Sequence, residues 1–202
     1  MILTKLKEAT REQHENLENV VGVMDKLFKR EDYERLLTKF YKFYSSIEPR
    51  VAQNDMESHG LNFDARRKTA SLERDLQNLG ILDDVKSVAG SWTDLPTLDT
   101  PAKAFGACYV MEGATLGGQI IMRHLKEHLS LTPDNGGSFF NSYGHEVGAK
   151  WKEFCGVITA FAERQGDDET IVEAAKETFD SFGRCFAETA AAGKKELESK
   201  WR

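Results

Sequence analysis

Tyr109-Val110-Met111-Glu112-Gly113-Ala114-Thr115-Leu116-Gly117-Gly118-Gln119 is the stretch that decides how this chain is read. It lies inside a long helical pattern. Thr100 is placed to cap that helix and Pro101 suits its first turn, while Phe105, Tyr109, Leu116, Ile120 and Leu125 recur at helical spacing and Pro133 closes the region. Yet Gly113, Gly117 and Gly118 occupy the middle. A glycine costs ~1 kcal/mol relative to alanine in a helix interior, so the three together cost roughly 3 kcal/mol. Gly113 and Gly117 are four residues apart and share one face, with Gly118 beside it. Either another helix packs closely on that bare face, or a flat ligand lies directly on its backbone. The stretch alone leaves both readings open.

Outward from it, the whole chain reads as helical. Residues 3 to about 24 form an amphipathic pattern in which Leu3, Leu6, Thr10, His14, Leu17 and Val21 fall three or four apart, so His14 is expected on the buried stripe, with Lys7, Arg11 and Glu18 within a turn or two. Glu31 to Asn54 reads as a second helix with Tyr33, Leu37, Phe40, Tyr41, Tyr44, Ile47 and Val51 on its apolar side, and Pro49 is expected to kink or divide it. Residues 55 to 65 form a polar connector, and Arg66 to Gly80 reads as a short helix ended by its glycine. After a loop at 90 to 100 and the glycine-bearing helix, Gly136 to Gln165 holds another helix, with Phe139, Phe140, Tyr143, Val147, Trp151, Phe154, Ile158 and Phe161 on one side. Asp167 or Asp168 caps a last helix carrying Ile171, Ala175, Phe179, Phe182 and Phe186, which frays into the charged tail Lys194 to Arg202. No run reads as a strand and no repeat is visible. The expectation is one all-α domain over residues 1–202.

Bulk properties narrow the function classes. The 202 residues are 40% hydrophobic and 30% charged, enough for one sizeable core and unlike a disordered chain. A net charge of −6 offers no overall basic field for nucleic acid. Cys108, Cys155 and Cys185 make no CxxC pair, which argues against a zinc site or a disulfide framework and for a reducing cytoplasm. Neither a signal peptide nor a membrane-spanning run is visible.

Of the five histidines, His124 and His128 are one turn apart but lack the carboxylate motifs of a metal site, and His59 and His145 lie in polar or glycine-rich surroundings. His14 differs, because it sits on an apolar stripe with Glu18 four residues on. A ligating imidazole usually donates its other N–H to an oriented partner, and Glu18 is placed to serve, directly or through water. A planar metallocycle needs an axial ligand on one face and a close-lying bare surface on the other. His14 supplies the first and Gly113, Gly117 and Gly118 supply the second. Lys7 and Arg11 are placed to reach carboxylates at the edge of such a ligand.

These residues also carry a family resemblance. Leu6-Lys7-Glu8-Ala9-Thr10-Arg11-Glu12-Gln13-His14, with Glu18 following, closely resembles the proximal helix of heme oxygenases. Leu72-Glu73-Arg74-Asp75-Leu76 resembles their LExDL helix, and Gly113 to Gln119 looks like their distal helix. YVMEGATLGGQ, with Ser138-Phe139-Phe140, Tyr143-Gly144 and Gly148 to Phe154, is especially similar to the bacterial members associated with phytochromes. The resemblance runs in order over nearly the whole chain. It implies a single helical domain with heme held between proximal and distal helices, heme serving as substrate and cofactor. Dioxygen and an electron-donor protein or small reductant would convert it to biliverdin, carbon monoxide and iron, with a phytochrome as one recipient of the product. On this resemblance His14 is the iron ligand and Glu18 its hydrogen-bonding partner. Gly113 and Gly117 form the distal wall, with Gly118 beside them. Lys7 matches a propionate-holding position, and Arg11 is a second candidate for that role.

One position departs from the pattern. Many members carry Asp after the first distal glycine, where this chain has Ala114. Thr115, Gln119, Arg67 or a backbone carbonyl are the candidates to replace its hydrogen bonds. Two related fold members fit less well: a di-iron oxidase needs ExxH pairs, which are absent, and a thiaminase-like hydrolase needs a nucleophilic Cys, whereas all three cysteines have small or apolar neighbours. A heme sensor or carrier that never turns heme over shares every motif above.

Overall fold

The structure is a computed structural model, and it describes residues 1–21, 29–88 and 90–200, with side chains described for residues 1–18, 29–88 and 90–187. The described helices are α1 (Ile2–Ala9), α2 (Arg11–Val21), α3 (Arg30–Val51), α4 (Thr69–Leu79), α5 (Leu82–Val88), α6 (Pro101–Leu129), α7 (Ser138–Asn141), α8 (Val147–Gln165) and α9 (Asp168–Lys200). Three single 3₁₀ turns, at Glu57–His59, Asp64–Arg66 and Gly144–Glu146, complete the chain order. No strand occurs among the described residues. No helix among them is long and apolar enough to cross a membrane.

Several boundaries differ from the sequence expectation. The N-terminal pattern is interrupted at Thr10, whose hydroxyl donates back to the Leu6 carbonyl at 2.8 Å while its own backbone leaves helical geometry at φ −106°, ψ 9°. The expected end at residue 24 and the side chain of Val21 lie outside the described residues, as do the side chains of the tail 194–202. Pro49 does not divide α3. It falls in the last turn, where the helix ends at Val51. Arg66 to Lys68 precede α4 rather than opening it, because the Glu48 carboxylate from α3 accepts the Lys68 N–H at 2.5 Å, the Thr69 N–H at 3.2 Å and the Thr69 hydroxyl at 2.7 Å. Gly80 ends α4 in the left-handed region at φ 78°, as its sequence position implies. The helix α5 was not anticipated. The expected 136–165 helix is split by a bend at Ser142, with φ 49°.

The core is built on the α6–α9 contact, the broadest in the molecule. Gly106 makes it possible. A Cβ there would stand 2.8 Å from the Ala174 Cβ and 2.9 Å from the Ala175 nitrogen, so only a glycine lets the two backbones approach this closely. At one end of this contact, aromatic rings from α3, α7 and α9 fill the interior. Phe43 stacks on Phe182 with centroids 4.2 Å apart, and Phe40 meets Phe139, Phe140, Phe182 and Phe186 within 5.6 Å. α7 is anchored by a buried carboxylate: Asp75 on α4 accepts the Ser138 N–H at 2.8 Å and the Phe139 N–H at 2.7 Å. Asp75 thus satisfies two otherwise orphaned donors of the α7 N-terminus and sets Phe139 and Phe140 in place. α6 itself begins as the sequence predicts, with the Thr100 hydroxyl accepting the Lys103 N–H and Pro101 at its first position.

Candidate functional site

A cavity of about 730 Å³ opens between α2, α3, α6, α7 and α9. His14, Leu17 and Glu18 of α2 line one part of it, and Tyr109 to Ile121 of α6 supply most of another. Phe40 and Tyr44, Phe139 and Phe140, and Phe179 and Phe182 close it with aromatic surface, and Trp151 reaches in from α8. The lining is mostly apolar, as expected of a site for a planar organic ligand. Leu116 and Ile120 remain 43% and 57% exposed at its rim, large apolar side chains that a ligand would cover.

The predicted residues divide by position. His14 does line the cavity, but it is not buried on a stripe: its side chain is 57% exposed. The stripe that buries Leu6 and Thr10 continues at residue 14 onto open cavity instead of protein, and the ring meets only Phe179 edge-on, at 5.8 Å. Glu18 Oε1 lies 3.7 Å from His14 Nδ1, within reach of a bridging water, which leaves Nε2 for a ligand. Lys7 and Arg11 are exposed and do not line the cavity.

The three distal glycines prove to be different objects. A Cβ on Gly117 would meet nothing within 4 Å. One on Gly113 would make ordinary contact with the Trp151 ring at 3.9 Å. One on Gly118 would collide with the Phe140 carbonyl, standing 3.3 Å from its carbon. Gly118 therefore answers to close packing against α7, while Gly117 borders open space.

A buried polar cluster behind the cavity escaped the sequence reading. Arg66, Lys68 and Glu112 are all nine-tenths buried or more. Arg66 pairs with Glu112 at 2.5 Å and reaches Glu153 at 3.1 Å, and the Tyr143 hydroxyl donates to Glu112 at 2.8 Å. The Lys68 ammonium stands 4.0 Å from Glu112 and 3.7 Å from the centre of the Tyr143 ring. Burial pushes it down to about 8, against the opposing pull of Glu112 and Glu48. Only Lys68 of this cluster lines the cavity. Of the candidates to offset Ala114, Thr115 lines the cavity, with its hydroxyl donating to the Glu112 carbonyl at 2.7 Å. Gln119 is spent on the Asn141 carbonyl at 2.9 Å, and Arg67 points away to Asp64 at 2.8 Å. A signal for the missed residues existed: Lys68 is four before Leu72, and Glu112 is four after Cys108, so both polar groups sit on buried stripes.

One apolar cavity of this all-α domain thus carries a histidine from α2 and the glycine-bearing stretch of α6. The chain belongs to the heme oxygenase family, which it matches over residues 1–188. It is 22% identical over 189 residues to heme oxygenase PigA of Pseudomonas aeruginosa, covering 93% of this chain and 92% of that one. The fold is similar to the heme oxygenase of Neisseria meningitidis, with a TM-score of 0.78, 19% identity and 94% and 92% of the two chains covered. It is also similar to heme oxygenase-1 of Synechocystis, solved in complex with heme, with a TM-score of 0.69, 21% identity and 100% and 99% covered.

Proposed function

We propose that this protein is a heme oxygenase that binds heme in the cavity between α2 and α6 and opens its ring to biliverdin, releasing carbon monoxide and iron. Dioxygen and electrons from a donor protein or small reductant are the co-substrates. The observation that carries the reading is that one apolar cavity presents both the His14 ring and the unobstructed backbone of Gly117. The residues present fit the group: an open space over a helix backbone, aromatic walls, and a free imidazole nitrogen.

Heme, when bound, supplies the redox chemistry that activates dioxygen. The chain's own residues do the rest. His14 would hold the iron through Nε2, and Glu18, at 3.7 Å from Nδ1, would orient the ring directly or through a water. Gly117 would admit a ring plane close to the α6 backbone, and Gly113, whose nearest neighbour is the Trp151 ring, would extend that bare surface. Phe40, Phe139, Phe140 and Phe182 exclude water from the interior. Lys7 and Arg11, exposed about two turns and one turn before His14, are the proposed partners for carboxylates that project from the mouth. The similarity of YVMEGATLGGQ to phytochrome-associated members supports a phytochrome as recipient of the product and a cytoplasmic setting.

The test is to load the protein with heme without oxygen, then add oxygen and a reductant. Conversion of the Soret band into a biliverdin spectrum, with carbon monoxide released, is expected. A stable heme spectrum under these conditions would instead identify a sensor or carrier.

A further inference from the structure

Lys68 is the one buried charged residue among the described residues that line the cavity. Its position is fixed from the backbone, because its own N–H is held by Glu48 on α3. Its ammonium, by contrast, donates no hydrogen bond to any described residue. Glu112 is the nearest carboxylate; its Oε2 accepts from Arg66 at 2.5 Å and its Oε1 from the Tyr143 hydroxyl at 2.8 Å, while Lys68 Nζ stands 4.0 Å from Oε1, beyond hydrogen-bond distance. The Tyr143 ring covers one side of the ammonium at 3.7 Å and accepts no conventional hydrogen bond there. The Lys68 side chain is only 7% exposed, and what exposure it keeps is towards the cavity it lines. The unmet donors are available to the cavity. Beside them Thr115 has committed its hydroxyl proton to the Glu112 carbonyl, so its oxygen lone pairs remain for the cavity as well. Ala114, one residue away, contributes no polar atom.

We propose that Lys68 is the group that hydrogen-bonds, directly or through one water, to small oxygen-containing or anionic ligands in the cavity, with Thr115 as the matching acceptor. This rests on the heme-binding reading above and deepens it. Lys68 would supply hydrogen bonding that Ala114 cannot. Arg66 and Tyr143 hold Glu112 in place, and Glu112 in turn keeps the Lys68 ammonium charged in the cavity wall. The buried position also separates Lys68 from the proposed propionate partners Lys7 and Arg11, which are exposed.

The test uses the full chain loaded with ferric heme and needs no turnover. Fluoride is titrated into the complex, and separately the midpoint of its acid–alkaline spectral transition is measured. Fluoride binding and the alkaline form both gain from a nearby cationic donor. Lys68→Met is expected to weaken fluoride about tenfold and to raise the alkaline midpoint by about one pH unit, while Lys68→Arg stays close to wild type. Lys68→Gln, which remains polar but uncharged, falls between them. Unchanged fluoride affinity and midpoint in Lys68→Met would overturn the proposal. Loss of heme uptake in both Lys68→Met and Lys68→Gln would overturn it too, in favour of a lysine that anchors a heme carboxylate. Failure of the wild type to take up heme, or to make biliverdin, is a separate result that counts against the oxygenase reading.

Discussion

The backbone carbonyl of Phe140 lies against Gly118 so closely that a methyl group on that glycine would stand inside 3.0 Å of it. One position earlier, the space over Gly117 is empty to 4 Å. Neighbouring residues of one glycine-rich motif therefore carry opposite expectations. Gly117→Ala should hold or raise the apo melting temperature, since alanine favours a helix by ~1 kcal/mol, while weakening heme binding. Gly118→Ala should lower apo stability by about 2 kcal/mol, because the obstacle is backbone and cannot swing away. Thermal melts of the two apo variants decide this, and equal effects would refute the division.

His14 can be removed cheaply. Its ring is more than half exposed and makes one edge contact with Phe179. His14→Ala should therefore change apo stability by no more than about 0.5 kcal/mol, yet abolish turnover and alter the heme spectrum. Added imidazole should restore part of that spectrum. A variant with the wild-type heme spectrum and activity would remove His14 from the site.

Asp75 is the opposite case: fully buried, not itself part of the cavity lining, and bonded to two backbone donors of α7. Asp75→Ala leaves the Ser138 and Phe139 N–H groups without partners and should cost about 3 kcal/mol, since each unsatisfied buried donor costs ~1–3 kcal/mol. Heme affinity should fall with it, because Phe139 and Phe140 line the cavity. Denaturant unfolding measures the loss, and a change below about 1 kcal/mol would contradict the capping role.

Lys68 gives the apo protein a pH signature. Burial lowers its folded-state value from 10.5 to about 8, so between those limits the unfolded chain holds a proton that the folded chain has released. Stability from this group is therefore lowest below pH 8 and recovers as pH rises towards 10.5, a change on the order of 3 kcal/mol. Apo Lys68→Met should then exceed wild type in stability at pH 7, with the difference shrinking towards pH 10. A difference that stays constant or widens with pH would show that the ammonium is not held in this depressed state.

The local signals in the sequence were strong where one residue sufficed to set geometry. Thr100 and Pro101 start α6, Gly80 ends α4, and period-3.6 stripes mark the long helices, because caps and amphipathic faces are decided within a few residues of chain. The same periodicity placed His14 and Glu18 on one face and Gly113 and Gly117 on another, which is why both lining segments were legible before their meeting was seen. What periodicity cannot state is what a face meets. His14 was expected to be buried because its stripe is apolar, but the stripe runs from protein onto cavity at that residue. Gly117 and Gly118 are equivalent by propensity and differ only because Phe140, twenty-odd residues on, turns its carbonyl to one of them. Lys68 and Glu112 became readable as a pair only once α4 and α6 were side by side, since a buried charge is tolerated through partners brought from elsewhere in the chain. The sequence by itself determined the long helices, the start of α6 and the end of α4, and it placed the residues proposed to bind a planar metal complex on common helix faces. The tertiary structure decided which glycine borders open cavity and which meets protein, and set a buried lysine in the cavity wall, because those outcomes depend on distances between segments that no local pattern encodes.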